Sequence, residues 1–148
     1  MLALSLLAAV PAEAQRYPGS RPGSGSAASR VQLITRVIND CEDRTDDFRK
    51  SLRRALNDSR LDRTQGEREL NRKADQLERA LDRVGKSWNK DRDISKTRRY
   101  TREAIDAGRD IDKAVRVFRL NRDTERDWSV VRTQLNILAR SFDLAELR

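Results

Sequence analysis

An all-α chain, folded as an antiparallel up-down-up-down four-helix bundle with a disordered N-terminal arm, is what this sequence predicts. Three observations carry that expectation. Apolar residues recur at alternating steps of three and four in four separate stretches, the pattern of a and d positions on one helix face. All three prolines fall before residue 23, so beyond Pro22 no residue forbids helix. The segments between the periodic stretches are short, which makes sequence neighbours antiparallel. At 148 residues, one domain is the default.

The first fourteen residues have a different character. Leu2, Ala3, Leu4, Leu6, Leu7, Ala8, Ala9 and Val10 form a short apolar core, broken by Pro11. Ala12-Glu13-Ala14 then matches an A-x-A cleavage pattern. Residues 1–14 therefore read as a signal peptide, and cleavage after Ala14 would start the mature chain at Gln15. No Lys or Arg precedes the apolar core, so the segment looks truncated at its start. The run is about half of the ~20 residues a membrane-spanning helix needs. Residues 15–28 are rich in Pro, Gly, Ser and Ala without apolar period, which predicts a flexible linker. The bundle is then expected over 29–148.

Helix 1 is expected from Ser29, where Ser29 and Gln32 fit a capping box. Its seam is Val31, Ile34, Ile38, Cys41, Thr45, Phe48, Leu52 and Ala55, and Asn57-Asp58-Ser59 supplies turn chemistry. Helix 2 is expected from Thr64, with Glu67 completing a second capping box. Its seam is Leu70, Ala74, Leu77, Leu81, Val84 and Trp88. Gly85 either stops this helix or lies inside it; the seam position of Trp88 favours continuation.

Helix 3 is expected from Asp91 or Asp93. Its seam is Ile94, Thr97, Thr101, Ala104, Gly108, Ile111, Val115 and Phe118, and Asn121 should end it. The first half of that seam is light, which predicts a bulky neighbour such as Trp88 filling the space, or else a small apolar cavity. Helix 4 is expected from Thr124, with Asp127 completing its cap and with the seam Trp128, Val131, Leu135, Leu138 and Phe142. Val130, Ile137 and Leu144, spaced by seven, would form a second apolar stripe on helix 4, a candidate surface for a partner or a homodimer.

The segment from Trp128 to Leu144 fits the pattern W-x-x-[VL]-R-x-x-L-N-x-L-A-x-x-[FY]-x-L. It resembles the closing helix of uncharacterised small secreted bacterial proteins, of acidobacterial type, built from four helices. The phrase from Phe48 to Leu61 is similar to their first hairpin. The resemblance implies the fold and export. It transfers no activity and no residue role, since that group has no assigned function.

Composition narrows the chemistry. The chain has no histidine, which excludes di-iron sites of Glu-x-x-His type, c-type haem attachment, and Ser-His-Asp or Cys-His catalysis. Asp46-Asp47 and Asp91-Arg92-Asp93 are the tightest carboxylate clusters. The latter cannot open an EF-hand loop, because Lys96 and Arg102 stand where Gly and Glu are required. No catalytic, cofactor-binding or metal-ligating residue is therefore predicted, and no cofactor. Cys41, the lone cysteine, sits at a d position of the helix 1 seam. A buried, inert thiol is the economical reading, with an intermolecular disulfide as the alternative.

The net charge of +8 comes with 38 % charged residues. Many opposite charges lie four apart, among them Asp46 and Lys50, Glu69 and Lys73, Asp75 and Arg79, and Asp112 and Arg116, which suits a salt-bridged surface. The excess of cations suits an acidic partner. Arginines spread over all four helices without interleaved aromatics argue against nucleic acid. The expectation is a non-enzymatic, periplasmic or secreted binding or envelope-associated module, whose partner is a protein or an anionic envelope component. The alternatives are a small periplasmic chaperone or stress protein holding unfolded clients, or a bundle carrying a small apolar ligand.

Overall fold

In a computed structural model, residues 24–61 and 63–147 are described, with side chains from residue 27 onward. The expected signal peptide and residues 15–23 of the expected linker lie outside the described residues. Four helices follow in order: α1 (Ser24–Asn57), α2 (Gln65–Asp91), α3 (Ile94–Phe118) and α4 (Arg122–Ser141). Each packs on its sequence neighbours, and α1 closes the ring against α4. The α2–α3 and α1–α4 pairs pack closest, and the α3–α4 seam is the most open. The result is the up-down-up-down bundle. Its α2–α3 end carries a single tight turn at Arg92-Asp93, and its far end carries the α1–α2 and α3–α4 turns. No helix among the described residues is long and apolar enough to cross a membrane.

The seams define the core. Every seam residue is buried except Val31, Ile94 and Phe118, which pack partly buried at the bundle ends. Phe48, Leu77, Leu138 and Val115 are all among the buried residues. Burying each such side chain contributes roughly 1.5–3 kcal/mol. Gly85 lies inside α2, as the position of Trp88 requires, and brings the backbone close to α1. A Cβ there would meet Glu42 Oε1 at 2.6 Å.

The helix ends depart from expectation in two places. α1 begins at Ser24, five residues before Ser29 and inside the segment expected as linker. Extending a helix that is already nucleated adds one backbone hydrogen bond per residue fixed, and Ala27-Ala28 favour it. At the other correction, α4 is capped by Asn121, whose Oδ1 accepts from Thr124 N at 2.9 Å. Asn121 therefore opens α4, and α3 ends earlier, at Phe118, with Arg119 in the left-handed region. Thr124 is turned inward instead, fully buried, with its hydroxyl 3.1 Å from Ser51 Oγ. Thr64 caps α2 and Asp93 caps α3, each accepting from the amide three residues on.

The light half of α3 is filled by large side chains from elsewhere. Trp88 and Phe142 meet there edge to face, with ring centroids 6.0 Å apart. Leu147 and Leu135 converge on Gly108, where a Cβ would lie 3.2 Å and 2.7 Å from them. Leu147 arrives because the chain after α4 folds back over the open α3–α4 seam. Asn136 accepts from the Leu147 amide at 2.7 Å and donates to its carbonyl at 3.3 Å. Arg98 donates to Asp143 O, and Arg109 donates to Ala145 O.

Candidate functional site

The expected stripe of Val130, Ile137 and Leu144 does not form a row on one helix. α4 stops at Ser141 and Asp143 takes a left-handed conformation. Leu144 N then bonds Ala139 O at 2.9 Å and Asp143 N bonds Arg140 O at 3.2 Å, the paired bonds of a Schellman stop. Leu144 is thereby folded back toward the core, Ile137 is also half-buried against it, and Val130 alone is exposed. Heptad spacing had no knowledge of the stop, because no glycine marks it.

The carboxylate clusters are spent on structure. Asp93 caps α3 and Asp91 pairs with Lys96 at 3.3 Å. Exposed Asp47 lies 3.7 Å from Arg44 and 3.8 Å from Lys50. Among the described residues, no group of three or more His, Cys, Asp or Glu side chains is placed to hold a metal ion. Cys41 is free and fully buried. Burial pushes its thiol far up, and the neighbouring charges of Asp40 and Glu42 add to that. It is therefore an inert thiol, since the thiolate is the reactive form.

Arginine and carboxylate meet in two further networks. Arg49 of α1 reaches across to α2, pairing with Asp75 at 2.6 Å and with Glu78. At the far end, Asp112 is nearly buried and takes three donors. Trp128 Nε1 is 2.9 Å from Oδ1, Arg132 is 3.4 Å from the same oxygen, and Arg116 is 2.6 Å from Oδ2. The four-residue spacing of Asp112 and Arg116 had suggested a solvated pair. The carboxylate is instead the buried hub of a network spanning α3 and α4.

One surface feature concentrates charge of a single sign. Along the α2–α3 hairpin, near its tight turn, an open cleft of about 640 Å³ runs between the two helices. α2 lines it with Arg83, Lys86, Ser87, Lys90 and Asp91, and α3 with Ser95, Lys96, Arg99 and Tyr100. Five cations thus face one carboxylate. Two ion pairs cross between the helices here: Asp91 with Lys96, and Arg83 with Glu103 at 3.2 Å. Among the described residues, Lys86, Lys90 and Arg99 pair with no carboxylate. Arg99 instead lies over the Tyr100 ring, 4.7 Å from its centroid, and donates to its hydroxyl at 2.9 Å. Ser87 Oγ is 3.0 Å from Thr97 Oγ1, which anchors the cleft floor to the core.

Helical periodicity explains the cleft. Arg83, Lys86, Ser87 and Lys90 recur at three and four residues on the flank of α2 beside its buried seam, and Lys96, Arg99 and Tyr100 do the same on α3. The two flanks become one site only because a two-residue turn lays the helices side by side. The sequence held one clue to it. The chain has 26 arginines and six lysines, and three of those lysines fall within the eleven residues from Lys86 to Lys96.

The chain matches no protein-family model, no curated protein and no solved structure.

Proposed function

We propose that this protein is a non-enzymatic, exported binding module that captures anionic groups of the cell envelope in the α2–α3 cleft. The observation that carries the proposal is the cleft itself: five cations against one lining carboxylate, three of them without an acidic partner among the described residues. Uncompensated cations in a concave surface focus the field, raising the local concentration of anions and their rate of association. Export is supported by the apolar run and the Ala12-Glu13-Ala14 pattern.

Two measurements test the proposal. N-terminal sequencing of the protein recovered from outside the cytoplasm should begin at Gln15; an intact Met1–Ala14 segment on exported protein would contradict the cleavage site. The full chain should be retained on an anionic envelope preparation at low salt and released as salt rises. Retention that ignores salt, or that survives Lys86→Glu with Lys90→Glu, would remove the cleft from the account.

A further inference from the structure

We infer that the α2–α3 cleft takes a linear polyanion, one bearing a negative charge on each repeat unit, laid lengthwise between the two helices. This rests on the cleft being the anion site and goes further, to the shape and charge spacing of what fills it. The cations form two rows rather than one convergent cage. On α2, Arg83, Lys86 and Lys90 advance by three and four residues, or about 5 Å per step and about 10 Å in all. On α3, Lys96 and Arg99 advance by three residues along the facing wall. A single phosphate or carboxylate engages one step of such a ladder. A chain of charges engages each step in turn.

The interhelix ion pairs bracket the ladder. Arg83–Glu103 spans the helices on one side and Lys96–Asp91 on the other, and Lys86, Lys90 and Arg99 pair with no carboxylate among the described residues. Three charges without a carboxylate among the described residues set the minimum that a ligand neutralises without breaking an ion pair. The ligand's neutral atoms meet Ser87, Ser95 and Tyr100. Lysine ammonium groups act as mobile point charges, so they follow a flexible polymer where a rigid guanidinium fork would demand one orientation.

A membrane surface fits the cleft less well. A peripheral protein that binds anionic lipid combines cations with apolar side chains that enter the acyl boundary. The cleft lining contains no aliphatic side chain, and the exposed large aliphatics Leu33, Val117 and Val130 lie outside it. The site is also concave, which suits a strand of polymer better than a plane of headgroups.

The test uses the full chain and inorganic polyphosphate as the probe. Binding of long-chain polyphosphate, of orthophosphate, and of vesicles rich in anionic phospholipid is measured at about 50 mM and about 200 mM salt. The expected result is polyphosphate binding at least about tenfold tighter per phosphate than orthophosphate. Its log affinity should fall with log salt at a slope of about −2 to −3, for three charges neutralised. Lys86→Glu with Lys90→Glu should lose at least about tenfold in affinity, while the charge-matched control Arg53→Glu with Arg122→Glu should keep it. Equal loss in both double variants would assign binding to net charge and overturn both the inference and the cleft. Orthophosphate binding as tightly as the polymer, or vesicle binding without polymer binding, would overturn the linear polyanion while leaving the cleft as an anion site. Helical circular dichroism of each variant separates loss of binding from loss of fold.

Discussion

The two tryptophans sit at opposite ends of the bundle and solve the same problem with different partners. Each indole is buried, each packs on a phenylalanine, and each ring nitrogen donates to one side-chain oxygen. At the far end Trp128 lies 5.2 Å from Phe48 and donates to Asp112, which also holds Arg116 and Arg132. At the α2–α3 end Trp88 meets Phe142 and donates to Thr35 at 2.9 Å, and Arg92 donates to the same hydroxyl at 2.7 Å. The carboxylate absorbs cationic charge and the hydroxyl does not. Asp112 thus holds two arginines at the far end, while at the end built on Thr35 Lys96 pairs with Asp91, and Lys86 and Lys90 meet no carboxylate among the described residues.

Substitutions should break this comparison in a definite order. Leu138→Ala, in the fully buried core shared by both ends, sets the scale with an expected loss of about 2–5 kcal/mol in denaturant unfolding. A loss well under 1 kcal/mol would contradict the seam. Asp112→Ala comes next at about 2–3 kcal/mol. It orphans the buried indole N–H of Trp128 and takes one acceptor from each of two guanidinium groups that are exposed enough to regain water. Thr35→Val should cost less, about 1 kcal/mol, because only neutral-acceptor bonds are lost and Arg92 can hydrate. Equal losses at the two ends would mean that the charge on Asp112 contributes nothing.

The smallest effect has its own sign. Glu42 is half-buried, and burial raises its carboxyl above the usual range, with Asp82, Asp43 and Asp46 adding to the shift. The folded state therefore holds this proton more tightly than the unfolded chain does. Its contribution is most favourable at acid pH and is lost as pH rises through the raised value. Glu42→Gln should stabilise the protein at neutral pH by less than about 0.5 kcal/mol, given its exposure, and by nothing in acid. Urea midpoints compared at about pH 7 and about pH 3 check both halves of that statement.

What was legible in the sequence follows from what periodicity encodes. The seams named the core residues because burial on a helix repeats every three to four positions. Trp88 even settled Gly85, since the indole could reach the seam only through a continuous helix. Stops and folds-back were illegible where no glycine marks them. Arg92, Arg119 and Asp143 take left-handed conformations that composition would assign to glycine. The stop at Asp143 is what turned Leu144 inward and dissolved the expected stripe. The cleft was half legible. Its lysine cluster lay in plain view, but the pairing of two helix flanks is a tertiary fact, and so is the identity of which cations find acids.

The most direct test of the central claim, that unspent charge at the α2–α3 end is the binding site, is to map binding residue by residue. Backbone and lysine-ammonium NMR signals of the full chain are followed as polyphosphate is added at low salt. Shifts should gather between Arg83 and Tyr100, led by Lys86, Lys90 and Arg99, while signals around Asp112, Arg116 and Arg132 stay still. Shifts of equal size at both ends, or a response centred on the far end, would contradict it.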